Sequence, residues 1–210
     1  MVNDYNEDLH QYTYRGKVVP SVTQIADPIS FEKLNALDKL MLQHSAERGS
    51  MIHAYCQEFS NTMEYPKEID EECRPYVDAF VQWYFDFDVK PLYTELAMFS
   101  EKFAGRCDLI AEINGKKVII DLKTTSSINK KPLRVQMAGY SLLSYYGEAM
   151  NGNKLELNID DTAVLHLKKD GTYEYKVVPP NFKWFETLYE HYRFMQEKEE
   201  VWKNIKAKNR

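Results

Sequence analysis

Apolar and polar residues follow two periods along this chain, and the places where the period changes mark out its elements. Between residues 92 and 124, three runs alternate with a period of two or are apolar throughout: LYTELAMF (92–99), AGRCDLIAEI (104–113) and KKVIIDLKT (116–124). Short polar turns separate them, so the stretch predicts a meander of strands. Upstream the apolar positions recur at three and four residues. Leu34, Leu37, Leu40, Met41, Ile52 and Phe59 form a stripe for one or two helices over 31–60. Gly49, inside AERGSMIHAYCQEF, either breaks that run or lets another backbone come close. EECRPYVDAFVQWYFDF predicts a further helix whose aromatics have core spacing. The opening YTYRGKVVPSVTQIADP predicts a short strand and turn, then a brief helix that stops before Pro28.

After the meander, PLRVQMAGYSLLSYYG predicts a helix, with Pro132 in its first turn and Gly147 at its stop. TAVLHLKKDGTYEYKVV predicts a hairpin, and NFKWFETLYEHYRFMQEKEEVWKNIK a long closing helix. This order implies an α/β or α+β fold with a central mixed sheet flanked by helices. No repeat, low-complexity tract or linker divides the chain. The expectation is one domain over 1–210, with a mainly helical N-terminal part (1–90), a sheet core (91–180) and a C-terminal helix (181–210).

Composition changes this picture in three respects. At 44% hydrophobic and 13% aromatic, 210 residues can bury a full core. Apolar runs are too short for a membrane-spanning helix, and the polar start MVNDYNEDLHQYTYRG lacks the apolar core of a signal peptide. Cys56, Cys73 and Cys107 are odd in number and widely spaced, which suits a reducing compartment, so a cytoplasmic location is expected. The net charge of −5 speaks against a polyanionic partner, but the charge is uneven. Residues 1–100 carry 8 Lys and Arg against 17 Asp and Glu, whereas 101–210 carry 19 against 15. From Lys116 to Arg134 there are six basic residues and one acidic one, Asp121. A run of this kind is either a solvated face or a binding surface.

The hairpin GRCDLIAEINGKKVIIDLKTT carries the candidate chemistry. Asn114-Gly115 signals a two-residue type I′ turn, which sets opposed residues to sum to 229. Glu112 then faces Lys117, Ile110 faces Ile119, and Asp108 faces Asp121. Two carboxylates so placed, with Cβ atoms about 4.5–5.5 Å apart, repel each other beside apolar neighbours. Either one takes up a proton or a divalent cation binds between them. Lys123 falls on the face of Asp121, where it can orient a nucleophile and offset charge in a transition state. The plainer alternative is a strand-start aspartate and a surface Asp121–Lys123 ion pair.

These residues resemble the PD-(D/E)xK nucleases: GRCDLI … IIDLKT is similar to their (G)xxD … (D/E)xK signature. QMAGY (136–140) resembles the Q-x-x-x-Y motif of the RecB-like exonuclease branch, and RGSMIH (48–53) its upstream RG-x-x-x-H motif. VPSVTQI (19–25) resembles the entry segment of phage exonucleases and of the mitochondrial genome maintenance exonuclease. The resemblance runs from about residue 12 to 146 and implies a restriction-endonuclease-like core. It also implies roles. Asp108, Asp121 and the Leu122 carbonyl would hold one or two Mg²⁺ or Mn²⁺ ions, with His53 as a further ligand. Lys123 would position the attacking water, and Gln136 and Tyr140 would hold Lys123 and the DNA backbone. Glu95 lies where family members often carry another acid, but the turn before the Asp108 strand does not fix its direction. Arg48, Ser126, Lys130, Lys131 and Arg134 are candidate DNA-backbone contacts. The three cysteines do not supply the four-cysteine pattern of branch members with an iron–sulfur cluster, so no cluster is expected. No Walker A motif is present, which leaves any helicase activity to a partner.

The expected function is therefore metal-dependent DNA exonucleolysis in replication, recombination or repair. A bacterial or phage-infected cell is the expected setting, with single-stranded DNA as substrate, stacked on aromatics in a small basic groove. Tyr145, Tyr146 and the WYFDF run are available for stacking, although their spacing fits core packing equally. Two rivals belong to other classes: a catalytically silent DNA-binding or assembly module, and a structure-specific endonuclease. Polarity, DNA against RNA, and oligomeric state are not encoded in any motif of the sequence.

Overall fold

In the computed structural model the described residues are 2–7, 9–29 and 36–208, with side chains except those of 36–42 and 204–208. Of the predicted apolar stripe, Leu34 lies outside the described residues, as do the side chains of Leu37, Leu40 and Met41. The central sheet has five strands in the order β4-β5-β6-β7-β8: β4 Lys90–Phe99, β5 Ala104–Ile113, β6 Lys116–Lys123, β7 Asp161–Leu167 and β8 Tyr173–Val177. All neighbours are antiparallel except β6 and β7, which are joined through α4 (Lys130–Tyr146) and run parallel. The fold is thus α+β, a mixed sheet between helical layers.

The layering follows from the strand pattern. On one face Leu109, Ala111, Val118, Ile120, Ala163 and Leu165 pack under α2 (Ala36–Thr62) and α3 (Arg74–Asp86). On the other face Ile110, Ile119 and Val164 pack under α1 (Val22–Ala26), α4 and α5 (Phe182–Lys208). Adjacent residues of β5, β6 and β7 therefore enter opposite cores, as period two requires of a sheet covered on both sides. No helix among the described residues is long and apolar enough to cross a membrane.

The hairpin register is the predicted one. Asn114 and Gly115 have φ of 51° and 76°, and the ladder pairs Ile113 with Lys116, Glu112 with Lys117 and Ile110 with Ile119. The predicted strand and turn of the opening are β2 (Gln11–Tyr14) and β3 (Lys17–Val19), and β1 (Asn3–Asn6), which was not predicted, joins them in a separate antiparallel sheet. Strands of three and four residues are too short to show a period. Their order comes from contacts distant in sequence: Asn3 donates to the Ala149 carbonyl at 2.9 Å, and Tyr12 packs edge-on against Phe99. Of the two alternatives for Gly49, the close approach holds: α2 runs through it without a break, and a Cβ there would lie 3.4 Å from the Thr124 hydroxyl, so α2 packs closely over the end of β6.

Candidate active site

The short α1 is set by a capping box. The Ser21 hydroxyl accepts from the Gln24 N–H at 3.0 Å, and the Gln24 side-chain oxygen accepts from the Ser21 N–H at 2.8 Å. This fixes Val22 as a wedge between α4 and β5. A Cβ on Gly139 would stand 2.7 Å from Val22, and one on Gly105 would stand 2.8 Å from the Tyr140 ring. The glycines of AGRCD and QMAGY thus let helix, strand and tyrosine close on one another, and they bring the polar end of α4 to β6.

There short polar contacts draw the α4 side of the site together, although Asp121 Oδ2 is buried without a hydrogen bond. The Asp121 carboxylate is 3% exposed, accepts from Gln136 Nε2 at 2.9 Å and lies 2.6 Å from Lys123 Nζ. Gln136 Nε2 also reaches the Tyr140 hydroxyl at 3.0 Å, as residues one turn apart on a helix can. Burial pushes the Asp121 pKa up, opposed by Lys123 and reinforced by the charge of Asp108. Burial alone would lower Lys123, but Asp121 and Asp108 outweigh it and keep the ammonium charged. Burial and the same two aspartates hold the Tyr140 hydroxyl protonated.

The α2 side is organised differently. The β5–β6 ladder ends at Leu109–Ile120, and beyond it the Leu122 N–H donates to Asp108 Oδ2 at 2.6 Å. Asp108 and Asp121 are therefore the next positions in register, but the side chain of Asp108 has replaced the backbone pairing. The alternation of β5 also breaks here. Leu109 packs in the α2–α3 core whereas Cys107, two residues back, packs in the α1–α4 core. An unbroken strand would put Asp108 on the face of Ile110; the break turns it towards α2, where Asp108 Oδ1 lies 3.5 Å from His53 Nδ1.

On the other flank, Thr94 pairs with Leu109 and Leu96 with Cys107, so Glu95 stands opposite Asp108 but outside the ladder. Its φ of 47° turns the side chain into the site, with Oε1 3.9 Å from His53 Nδ1 and Oε2 2.9 Å from Arg106 Nε. The direction of Glu95 was undetermined from the sequence, and the structure brings it in. One ligand atom each from His53, Glu95 and Asp108 lie within 4.8 Å of one another, a spacing suited to a metal ion; Asp121 is not one of the three. Burial would lower the pKa of His53, but Asp108 and Glu95 raise it to about 10. Burial would raise Asp108, and the His53 and Lys123 charges hold it below the usual carboxylate range. An imidazole between two carboxylates takes up a proton when no other cation is there, so the donor chemistry fits a divalent ion. An imidazole donor shifts preference from Mg²⁺ towards softer divalent ions.

The two sides meet at the floor of a cleft of about 880 Å³, walled by α2 on one side and by the N-terminal sheet, through Tyr5, Glu7 and Tyr12, on the other. Lys123, Thr124 and Thr125 also line it. His166 holds the segment after β6, its Nε2 lying 2.6 Å from the Thr125 carbonyl. The remaining sequence candidates lie elsewhere. Arg48 places its guanidinium over the Tyr76 ring at 5.6 Å. Arg134 donates to the Pro179 carbonyl at 3.0 Å and ties α4 to the segment before α5. Ser126, Lys130 and Lys131 are exposed between β6 and the first turn of α4. Arg106, Tyr5 and Glu7 were not singled out by sequence. Arg106 stands inside the GRCD motif, but no periodicity connects it with residues 5 and 7.

No family model matches the chain, and no curated protein does. Among solved structures it is similar to an alkaline exonuclease (LHK-Exo) from Laribacter hongkongensis, at 14% identity over 91% of this chain and 95% of that one, with a TM-score of 0.48. LHK-Exo in complex with dAMP gives 15% identity, the same 91% and 95% coverage, and a TM-score of 0.49. A phage related exonuclease from Haemophilus somnus 129PT gives 11% identity over 81% of this chain and 88% of that one, with a TM-score of 0.41. These neighbours are exonucleases.

Proposed function

We propose that this chain is a metal-dependent nuclease that hydrolyses phosphodiester bonds of DNA from an end, acting on single strands. The observation that carries the reading is the juxtaposition at one cleft floor of two sets of groups. One is an imidazole and two carboxylates within 4.8 Å; the other is a buried Asp121–Lys123 pair at 2.6 Å, fixed by Gln136. The ion would be Mg²⁺ or Mn²⁺, held by His53, Glu95 and Asp108; Asp121, which the sequence resemblance implies as a further ligand with the Leu122 carbonyl, stays paired with Lys123 and Gln136 in this reading. When bound there, a divalent cation supplies charge to the phosphodiester and acidifies water.

The chain's own groups then divide the work. Lys123, held against Asp121 at 2.6 Å, serves as a hydrogen-bond donor and positive charge towards an attacking water and the phosphoryl oxygens. Gln136 holds Asp121 in place, and Tyr140 is a proton donor available to the DNA backbone. A cleft of about 880 Å³ between a helix and a small sheet has room for a few linked nucleotides, which supports a single strand as substrate. Exonucleolytic action and a place in replication, recombination or repair rest on the motif resemblance. The three described cysteines are free and buried, consistent with a reducing cytoplasm, bacterial or phage-infected.

The test is digestion of an end-labelled single-stranded oligonucleotide beside duplex and circular controls, in Mg²⁺, in Mn²⁺ and in EDTA, with Asp121→Ala in parallel. The expected result is metal-dependent shortening of the linear strand, lost in the variant, with the circle intact. Cleavage of the circle would convert the reading to an endonuclease; binding without cleavage in either metal would leave a silent binding module.

A further inference from the structure

The two carboxylates of the ion cluster are held by the same device. Each has one oxygen tied by the chain and presents the other to His53. For Asp108 the tie is the Leu122 N–H at 2.6 Å on Oδ2; for Glu95 it is Arg106 Nε at 2.9 Å on Oε2. Glu95 needs such a tie, because its φ of 47° is a left-handed conformation that a non-glycine residue keeps only when its surroundings enforce it. Arg106 is itself fixed from outside the main sheet. Its guanidinium lies over the Tyr5 ring at 4.9 Å, and its NH1 reaches Glu7 at 3.2 Å. The Glu7 side chain is 74% exposed and the Glu95 side chain 15%, so the Glu95 pair is the better shielded of the two.

From this geometry we infer that Arg106 is a positioning residue for the ion: it aims Glu95 into the cluster and is held there by Tyr5. The N-terminal sheet is thereby a working part of the metal site. The inference rests on the metal reading proposed above. Partners that orient a ligand change metal affinity by about 10–100-fold when removed.

The experiment is calorimetric titration of Mn²⁺ alone into the metal-stripped full chain, as wild type, Arg106→Gln, Glu95→Gln and the double variant, each with its metal-free melting temperature. Arg106→Gln is expected to weaken Mn²⁺ about tenfold or more. Glu95→Gln loses at least as much, and the double variant binds no more weakly than Glu95→Gln, because Arg106 acts only through that carboxylate. Arg106→Lys, which keeps a cation beside Glu95, recovers part of the affinity. If Arg106→Gln does not fold, Arg106→Lys enters the same cycle, and its loss must vanish on the Glu95→Gln background. An Arg106 that merely clamps the small sheet would lower the melting temperature and leave the Mn²⁺ affinity at the wild-type value. That result, or losses that multiply in the double variant, overturns the inference. A wild-type chain that takes up no Mn²⁺ overturns the metal reading itself, which separates the two failures.

Discussion

The two sides of the candidate site solve the burial of carboxylates in opposite ways. Around Asp121 both oxygens face groups of the chain: Gln136 donates to Oδ1, while Oδ2 has the Lys123 ammonium at 2.6 Å as an ion-pair partner and no hydrogen bond, and the group is 3% exposed. Around Asp108 and Glu95 each carboxylate is answered on one oxygen only, and the other oxygens face an imidazole at 3.5 and 3.9 Å. A closed network positions groups, because its members have few other partners to take. An open cluster of anions has unspent acceptor capacity, so it binds a cation or a proton. On the proposed reading, the open side holds the ion and the closed side aims the reaction.

The strongest way to break this comparison is to remove an open-side anion. Asp108→Asn should abolish Mn²⁺ uptake and lower the hydrolysis rate on the order of 10³-fold. Retained uptake in calorimetry would remove the open side from its role. A smaller effect is expected from the closed side. Lys123→Gln should lower kcat about 10²-fold and leave Mn²⁺ binding intact, since the lysine offers a donor and not a ligand. Equal loss of ion binding in both variants would erase the division between the sides.

The smallest effect sharpens the comparison through pH. His53 carries a proton below about 10, and an ion must displace it, so Mn²⁺ affinity should rise about tenfold per pH unit between pH 6 and 8. Without metal the sign is reversed. The folded-state pKa of His53 stands above its ordinary 6.5, so the stability this pairing contributes is full below that value and is lost as pH rises towards about 10. Melting curves in EDTA at stepped pH check this, and a metal-free protein that gains stability from His53 over that range would contradict the pairing. The comparison is with His53→Asn.

Much of the closed side was legible in the sequence. Asn114-Gly115 fixed the register from the turn outwards, and Gln136 and Tyr140 are one helical turn apart, so Asp121, Lys123 and their holders could be placed on one face. The open side was less legible because it is made of departures from regularity. Asp108 was expected beside Ile110, since period two assumes an unbroken strand, and a side chain that takes over a backbone hydrogen bond leaves no mark in the pattern. Glu95 depends on one left-handed residue in a strand, and Arg106 on a sheet formed far upstream by contacts without period. The same holds at fold level. The three-stranded meander, the β7–β8 hairpin and their helices follow from periodicity, whereas β1 to β3 are too short to carry any.

The most direct test of the division is where an ion sits. Crystals of the wild-type chain soaked in Mn²⁺ should give an anomalous peak within coordinating distance of His53, Glu95 and Asp108, with Lys123 remaining against Asp121. No peak at these three side chains at saturating Mn²⁺, or a peak held by Asp121 with His53 and Glu95 turned away, would contradict the account.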